Sequence, residues 1–142
     1  MRTRVRISIL FVLVAWATLV AASAQAKKKS CSPGETCSCF GSKRCGFSCA
    51  GEGCTFSCMG SGGCTIDCAK GKCKIDVTGS GTSRIDCAGG KCTVSHTGSG
   101  TTVLDCPGKG CSMSCTGSGD CVIENCKDCS LKCLGTGSCK KK

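Results

Sequence analysis

Short segments of alternating residue types recur at a fixed spacing along this chain. Three consecutive stretches, 64–82, 83–101 and 102–120, are each 19 residues long and align without an insertion. Each contains two half-repeats, and each half-repeat opens with five residues whose first, third and fifth positions are cysteine, apolar or occasionally serine, threonine or histidine. Alternation over five residues between glycine-rich turns predicts a half-buried β-strand. A fixed short period predicts stacked coils, so we expect an all-β repeat protein.

The predicted fold is a two-sided, disulfide-stapled β-solenoid of about five 19-residue coils with two short strands in each coil. The central strand residues form two apolar ladders, one on each side of the interior. The first ladder contains Phe47, Ile66, Ile85, Leu104 and Ile123. The second ladder contains Phe56, Ile75, Val94, Met113 and Leu131. Each coil is expected to be stabilised mainly by its neighbours, as in other repeat proteins.

The chain is expected to divide into four segments. Residues 1–26 have the features of a signal peptide: three early arginines, a predominantly apolar segment of sixteen residues (7–22) and an Ala-Gln-Ala cleavage site that ends at Ala26. Sixteen residues are fewer than the ~20 that a membrane-spanning helix needs. We expect an N-terminal cap with a basic start at 27–44, the repeat solenoid at 45–139 and a basic tip at 140–142. The cleaved protein is expected to be secreted or periplasmic.

Cysteine is the most informative residue type after the leader. The chain has 20 cysteines, all of them after residue 30, and an exported chain with an even number predicts a disulfide framework. The cysteines expected in disulfides are Cys31, Cys37, Cys39, Cys45, Cys49, Cys54, Cys58, Cys64, Cys68, Cys73, Cys87, Cys92, Cys106, Cys111, Cys115, Cys121, Cys126, Cys129, Cys133 and Cys139.

The repeats also indicate which cysteines pair. Turns of four residues (short turns) and turns of five residues (long turns) alternate, and most have a cysteine on each side. Two long turns are flanked instead by Val77 and Ser83 and by His96 and Thr102. Because both cysteines are absent together, we predict that each bond closes a single turn. Bonds between adjacent coils, which stack ~4.8 Å apart, are the alternative.

Cys31 and Cys37 are expected to pair because they are near in sequence, and Cys126 and Cys129 for the same reason.

Metal storage is the other use of many cysteines, and the spacing of these cysteines does not favour it. The C-x-C and C-x-x-C spacings of thiolate clusters each occur once, in 37–39 and 126–129. Thiols also do not persist in the oxidising compartments to which an export signal leads. No cofactor is expected.

The corner sequences carry a resemblance to a known family. The period of about 19, the Thr-Gly-Ser-Gly-Thr corners at 78–82 and 97–101 and the strands between them resemble a secreted bacterial repeat family of unknown function with Gly-Ser-Gly-Asn corners. The resemblance covers about residues 73–125, and it implies a small exported β-solenoid with no known activity. A looser likeness is to the disulfide-braced antifreeze solenoids of insects.

Charge is concentrated at the two ends of the expected rod. The formal net charge is +10, and removal of the leader arginines leaves +7. Six lysines flank a nearly neutral repeat body: Lys27, Lys28, Lys29, Lys140, Lys141 and Lys142. Nucleic-acid binding is not expected, because it favours a basic stripe with aromatic residues for stacking. The lysines are expected either to keep the ends soluble or to bind an anionic surface.

The two outer faces differ in chemistry. The first face has a column of carboxylates, Asp67, Asp86, Asp105 and Glu124, which we call the acidic ladder. Arg84 and turn lysines are expected to relieve its repulsion, and a weakly held divalent cation is the alternative, because carboxylate oxygens are suitable hard ligands. The second face is rich in serine and threonine, with one charged interruption at Lys74 and Asp76.

No enzyme activity is expected from this sequence. Its single histidine, His96, occupies an inward strand position opposite Thr102, so we expect it to fill the interior and bond to that threonine. No accompanying nucleophile, orienting group or oxyanion site is apparent. The sequence favours a secreted structural or binding module, with two alternatives: ice or surface binding through the Ser/Thr face, and polyanion or membrane-surface binding through the terminal lysines.

Overall fold

The computed structural model describes residues 28–142, and the expected signal peptide lies outside them. Thirteen β-strands form two parallel sheets, and the chain alternates between the sheets. The seven-stranded sheet contains β1 (Lys29–Cys31), β3 (Cys45–Cys49), β5 (Cys64–Asp67), β7 (Ser83–Asp86), β9 (Thr102–Asp105), β11 (Cys121–Glu124) and β13 (Cys139–Lys141). The six-stranded sheet contains β2 (Thr36–Phe40), β4 (Thr55–Gly60), β6 (Lys74–Gly79), β8 (Thr93–Gly98), β10 (Ser112–Gly117) and β12 (Ser130–Gly135). The all-β two-sided solenoid is confirmed.

The solenoid has six full turns and a final strand, one turn more than the sequence suggested. Residues 29–40, part of the segment expected to be an N-terminal cap, contribute β1 and β2. These strands pair with β3 and β4 in the same parallel manner as later strands do. Residues 28–142 contain no helix that is long and apolar enough to cross a membrane.

The repeat period fixes the register of both sheets. Successive strands place a residue beside the one 19 positions later, for example Cys45 beside Cys64 and Thr93 beside Ser112. The offset falls to 18 at the two ends, where Lys29 lies beside Phe47 and Cys121 beside Cys139. An offset that matches the repeat length puts chemically equivalent side chains in straight columns on both faces of each sheet.

The core between the sheets is one side chain deep in each sheet. The two predicted apolar ladders face each other, and Ile66, Ile75 and Leu104 are 0–1% exposed. Phe47 and Phe56 contact each other at the N-terminal end, with ring centroids 5.6 Å apart. Leu131 is only partly buried, because it lies in the last strand of its sheet and has a neighbour on one side only.

Disulfides line the two edges of this core. Ten bonds are present, and each joins cysteines three, five or six residues apart on either side of one turn. Eight of them are the turn-edge pairs that the joint absences predict, and the other two, Cys31–Cys37 and Cys126–Cys129, are the pairs predicted from their nearness in sequence. Six bonds lie along the edge formed by the short turns (the short-turn edge), and four lie along the edge formed by the long turns (the long-turn edge). The cysteines contain no free thiol.

Glycine allows the long turns to stack directly on one another. Gly79 has a φ of 142° and Gly98 a φ of 139°, in the region that L-residues rarely adopt. A Cβ at Gly79 would collide with the carbonyl oxygen of Gly60, and one at Gly98 with that of Gly79. Gly100 N donates to Gly79 O at 3.1 Å, so the turns are also hydrogen-bonded.

Lysine occupies the ladder position at both ends of the first apolar ladder. Lys29 lies in register with Phe47, and Lys141 lies in register with Ile123. A charged residue at an inward position of an edge strand is one way in which proteins prevent edge-to-edge pairing. Lys29 and Lys141 are therefore placed where they can protect the open ends of the seven-stranded sheet, and the solubility role of the terminal lysines stays a prediction.

We expect Lys141→Leu to promote end-to-end association, because it extends the apolar ladder to an open strand edge. Lys140→Leu is the matched control, since Lys140 pairs with Val122 at an outward position and is not part of the apolar ladder. Sedimentation velocity should show dimers or larger species for the first variant and a monomer for the second. If the two variants associate equally, the register of Lys141 is not what keeps the end soluble.

Candidate binding surfaces

The acidic ladder lies on the outer face of the seven-stranded sheet. Asp67 pairs in register with Asp86, Asp86 with Asp105, and Asp105 with Glu124. The ladder borders a groove of about 270 Å³, to which Lys28 and Arg84 contribute positive charge. The groove therefore presents both signs of charge.

The acidic ladder is partly neutralised by the ends of the chain, which the sequence did not predict. Lys28 Nζ lies 3.4 Å from Asp67 Oδ2, and Lys142 Nζ lies 3.5 Å from Glu124 Oε1. Asn125 Nδ2 donates to Asp105 Oδ1 at 3.0 Å. These contacts join residues brought together only by folding, so no local pattern reveals them.

The basic groups that we expected to neutralise the ladder make none of these contacts within residues 28–142. Arg84 borders the groove, but no ion pair of the ladder involves it or the lysines of the short turns. Lys72, one of those turn lysines, contacts Glu52 instead at 2.6 Å and lowers the pKa of that carboxyl by its hydrogen bond and charge. Neutralisation by Arg84 and the turn lysines therefore stays a prediction that involves no direct contact within residues 28–142, although Arg84 lines the same groove as Asp86 and Asp105.

The cation hypothesis for Asp67, Asp86, Asp105 and Glu124 stays a prediction. Among the described residues, the clusters of three or more potential ligands within 4.8 Å of one another consist of cysteines, all of which are in disulfides. Any cation would therefore be held by two neighbouring carboxylates and by water. Of the four ladder carboxylates, Asp86 makes no hydrogen bond or ion pair with residues 28–142, so the Asp86–Asp105 pair is the best candidate.

The outer face of the six-stranded sheet is the second candidate surface, and we call it the hydroxyl face. Its outward positions form three columns of six residues, and twelve of the eighteen are serine or threonine. They are Thr36, Ser38, Thr55, Ser57, Thr78, Thr93, Ser95, Thr97, Ser112, Ser114, Thr116 and Ser130. The side-chain hydrogen bonds found within residues 28–142 use none of these hydroxyls.

The third column of the hydroxyl face, which lies nearest the long turns, has apolar residues at both ends, and this was not predicted from the sequence. It runs from Phe40 through Met59 to three threonines and ends at Leu134. Phe40 is 68% exposed and Leu134 is 53% exposed. The alternation of the strands could have revealed this column, had the predicted strands been extended past their fifth residue into the corner.

His96 fills the core where a disulfide is absent, as the sequence predicted. Its side chain is 1% exposed, and its Nδ1 lies 3.0 Å from the Thr102 hydroxyl. At the other corner that lacks a disulfide, the Ser83 hydroxyl accepts a hydrogen bond from Cys64 N at 3.0 Å. Nε2 of His96 has no hydrogen-bond partner within residues 28–142. Burial lowers the pKa of His96, and the nearby Gly100 backbone raises it by a smaller amount.

The terminal lysines of the described chain are engaged within the protein to differing degrees. Lys28 and Lys142 contact the acidic ladder, and Lys141 Nζ donates to Cys129 O at 2.6 Å. Lys27 lies outside the described residues. The two ion pairs of Lys28 and Lys142 partly offset the charge that the ends present to an anionic surface.

No protein-family model, curated protein or solved structure matches this chain.

We expect calcium to shift the carboxyl NMR signals of Asp86 and Asp105 at millimolar concentration, because adjacent carboxylates attract a hard cation. Asp86→Asn should remove the effect, and Asp76→Asn, on the opposite sheet, should not. Unchanged signals at millimolar calcium would contradict the cation hypothesis and leave compensation of the ladder to protein groups such as Lys28, Lys142 and Asn125.

Acidification should destabilise the protein through His96. Because folding lowers the pKa of this group below its ordinary 6.5, the unfolded chain binds more protons in acid. The stabilising contribution is therefore complete well above pH 6.5 and declines as the pH falls below it. Since the chain has a single histidine, its NMR titration gives the folded-state pKa directly.

The double variant His96→Val, Thr102→Ser is the matched control, because it copies the Val77–Ser83 corner one coil away. Guanidinium unfolding at pH 7.5 and pH 5 should show a smaller loss of stability for this variant than for the natural chain. An equal loss in both proteins would assign the acid sensitivity to other groups.

Proposed function

We propose that this protein is an exported, disulfide-braced binding module whose hydroxyl face attaches it to an extended, hydroxyl-bearing polymer such as an insoluble polysaccharide. The observation that carries the proposal is the array of twelve outward hydroxyls in straight columns on one sheet. Export is supported by the leader sequence and by the ten disulfides, which are typical of oxidising compartments.

The geometry of the array suits a repetitive ligand. Parallel strands bring equivalent hydroxyls ~4.8 Å apart across the sheet, and alternate residues along a strand are ~6.7 Å apart. A hydroxyl both donates and accepts, so each position can bond to a polymer hydroxyl of either role. Because these groups have no bonds within residues 28–142, binding does not require the loss of internal hydrogen bonds.

The rigidity of the sheet adds to the affinity that the array can provide. A disulfide holds the ends of nearly every strand, and the two corners without one are packed by Val77 with Ser83 and by His96 with Thr102. Little conformational entropy of the sheet therefore remains to be lost on binding. The exposed side chains of Phe40 and Met59 add apolar contact area at one end of the same face. Lys74 and Asp76 interrupt the hydroxyls, but they leave the three strands β8, β10 and β12 with only one charged outward residue.

Ice is the second candidate ligand, and the same feature supports it. A flat lattice of threonine and serine resembles the ice-binding arrays of the antifreeze solenoids to which the sequence has a looser likeness. In the two columns nearest the short turns, taken together, serine outnumbers threonine by six to three, which fits a hydrated polymer better than a crystal surface. Binding through the terminal lysines is less favoured, because Lys28 and Lys142 are engaged with the acidic ladder.

We expect Ser95→Lys to weaken attachment by at least about tenfold, because a lysine in the centre of the hydroxyl face separates the flat surface from its ligand. Val103→Lys is the matched control, since it adds the same side chain to the outer face of the other sheet. Co-sedimentation with cellulose and with purified bacterial cell wall measures attachment, and thermal hysteresis measures ice binding.

The outcomes separate the candidates. Co-sedimentation that only Ser95→Lys reduces supports the polymer proposal. Thermal hysteresis without co-sedimentation would identify ice as the ligand instead. If the natural chain shows neither activity, or if Ser95→Lys and Val103→Lys reduce binding equally, the hydroxyl face is not the attachment surface.

A further inference from the structure

The sulfur atoms of neighbouring disulfides contact one another along the short-turn edge. Cys129 Sγ lies 3.9 Å from Cys106 Sγ, and the sulfurs of Cys106, Cys126 and Cys129 are all within 4.8 Å of one another. One coil further in, the sulfurs of Cys87, Cys92 and Cys111 are also within 4.8 Å of one another. Three disulfides, 126–129, 106–111 and 87–92, therefore form a continuous stack at the C-terminal half of this edge.

Only the outermost of these three bonds is accessible. Cys126 and Cys129 are partly exposed, whereas Cys106 and Cys111 are 0% and 1% exposed. Cys87 and Cys92 are equally buried. A reductant in solution can therefore reach the 126–129 bond (the outer disulfide), and it cannot reach the two inner bonds directly.

We infer that the outer disulfide is a thiol-exchange site that accepts reducing equivalents from an external dithiol and passes them inward along the stack. Thiol–disulfide exchange needs a thiolate in contact with a disulfide sulfur, and the stack supplies such a contact at each step. The proposal concerns a chemical activity of the short-turn edge and is independent of what the hydroxyl face binds.

The exchange needs no oxidant other than the disulfides of the protein itself. A thiolate of the dithiol attacks Cys126 Sγ, the 126–129 bond breaks, and Cys129 leaves as a thiolate. The second thiol of the reagent then releases Cys126 as a thiol and forms the oxidised reagent. Cys129 attacks Cys106 Sγ, so a 106–129 bond forms, the 106–111 bond breaks and Cys111 leaves as a thiolate.

A second transfer follows by the same chemistry. Cys111 attacks a sulfur of the 87–92 bond, and one cysteine of that pair becomes the new thiolate. The protein loses one disulfide overall, and the external dithiol is oxidised by two electrons. The thiol that began at the surface then lies in the core, two coils away from the reductant.

Charged residues of both signs lie near the position at which the first internal thiolate forms. Lys127 and Asp128 lie between the two cysteines of the outer disulfide, and Lys141 Nζ donates to the carbonyl oxygen of Cys129 at 2.6 Å. A nearby cation favours the thiolate, which is the form that attacks a disulfide, and a nearby carboxylate disfavours it. Two lysines against one aspartate leave a net positive charge, and the exposure of the outer disulfide makes this end of the short-turn edge the place where the exchange starts.

The long-turn edge provides an internal comparison. The sulfurs of Cys115, Cys133 and Cys139 are within 4.8 Å of one another, so exchange can pass from the 133–139 bond to the 115–121 bond. The next corner inward is His96 with Thr102, which has no sulfur. Exchange from the 133–139 bond should therefore move the free thiol by one coil, whereas exchange from the outer disulfide should move it by two coils.

The variant Cys126→Ser tests the first transfer without a reductant. It leaves Cys129 as a thiol beside Cys106, and we expect incubation at pH 8 to give a 106–129 bond in at least about a tenth of the molecules within hours. The free thiol should then be Cys111 or, after the second transfer, a cysteine of the 87–92 pair. Alkylation followed by a non-reduced peptide map identifies both. The same incubation at pH 4 should leave Cys129 as the free thiol, because thiolate is scarce there. If Cys129 remains the only alkylated cysteine at pH 8, the inference is wrong.

The natural chain provides a second test that does not depend on a variant. A limiting dose of a water-soluble phosphine at pH 3 should expose thiols at the partly exposed bonds, which are the outer disulfide and the 133–139 bond at the C-terminal end and the 39–45 and 49–54 bonds at the N-terminal end. When the pH is then raised to 8 before labelling, label should move to Cys111 and to the 87–92 pair on the short-turn edge. It should reach no further than the 115–121 pair on the long-turn edge. Bonds that cross between the edges would indicate general scrambling and would overturn the inference, as would initial reduction of a buried bond.

Discussion

The thinness of the core is the constraint on which the rest of this structure depends. Each full coil places two apolar side chains between the sheets, such as Ile66 and Ile75, and this is little burial for 19 ordered residues. Links at the edges must compensate, and for turns of about six residues each disulfide contributes about 2 kcal/mol in the chain-entropy model. The two corners without a disulfide lie in the middle of the solenoid, where coils pack on both sides. The end coils, which pack on one side only, keep a disulfide at each corner.

Repetition made most of the fold predictable. Ile85 and Val94 could be assigned to opposite ladders because equivalent positions in four other coils are also apolar. His96 could be paired with Thr102 because cysteine occupies both equivalent positions at four of the other five long turns. The first coil was missed because the turn between β2 and β3 lacks the Gly-x-Gly sequence of the later long turns. The contact between Lys28 and Asp67 could not be predicted, because it joins residues 39 positions apart that no repeat relates.

The two outer faces use their polar groups in opposite ways. On the seven-stranded sheet, charged groups such as Asp67 and Glu124 contact the terminal lysines, so much of that surface is satisfied within the protein. On the six-stranded sheet, the hydroxyls of Thr93, Ser95 and Thr97 are exposed in one row and have no such partners within residues 28–142. A surface that is both regular and unbonded can engage a regular partner at many weak points simultaneously, and its strength then grows with the number of coils.

The stacked glycines of the long turns also restrict how such a chain can change during evolution. Because a Cβ at Gly79 would overlap the backbone of Gly60, each corner must follow the path of the corner before it. A single inserted residue would shift every later column and reverse which side chains point inward. Duplication or loss of a whole coil leaves all the contacts between neighbours unchanged. The gene can therefore lengthen or shorten the protein in units of one coil, and the area of the hydroxyl face changes by one row of side chains at each such event.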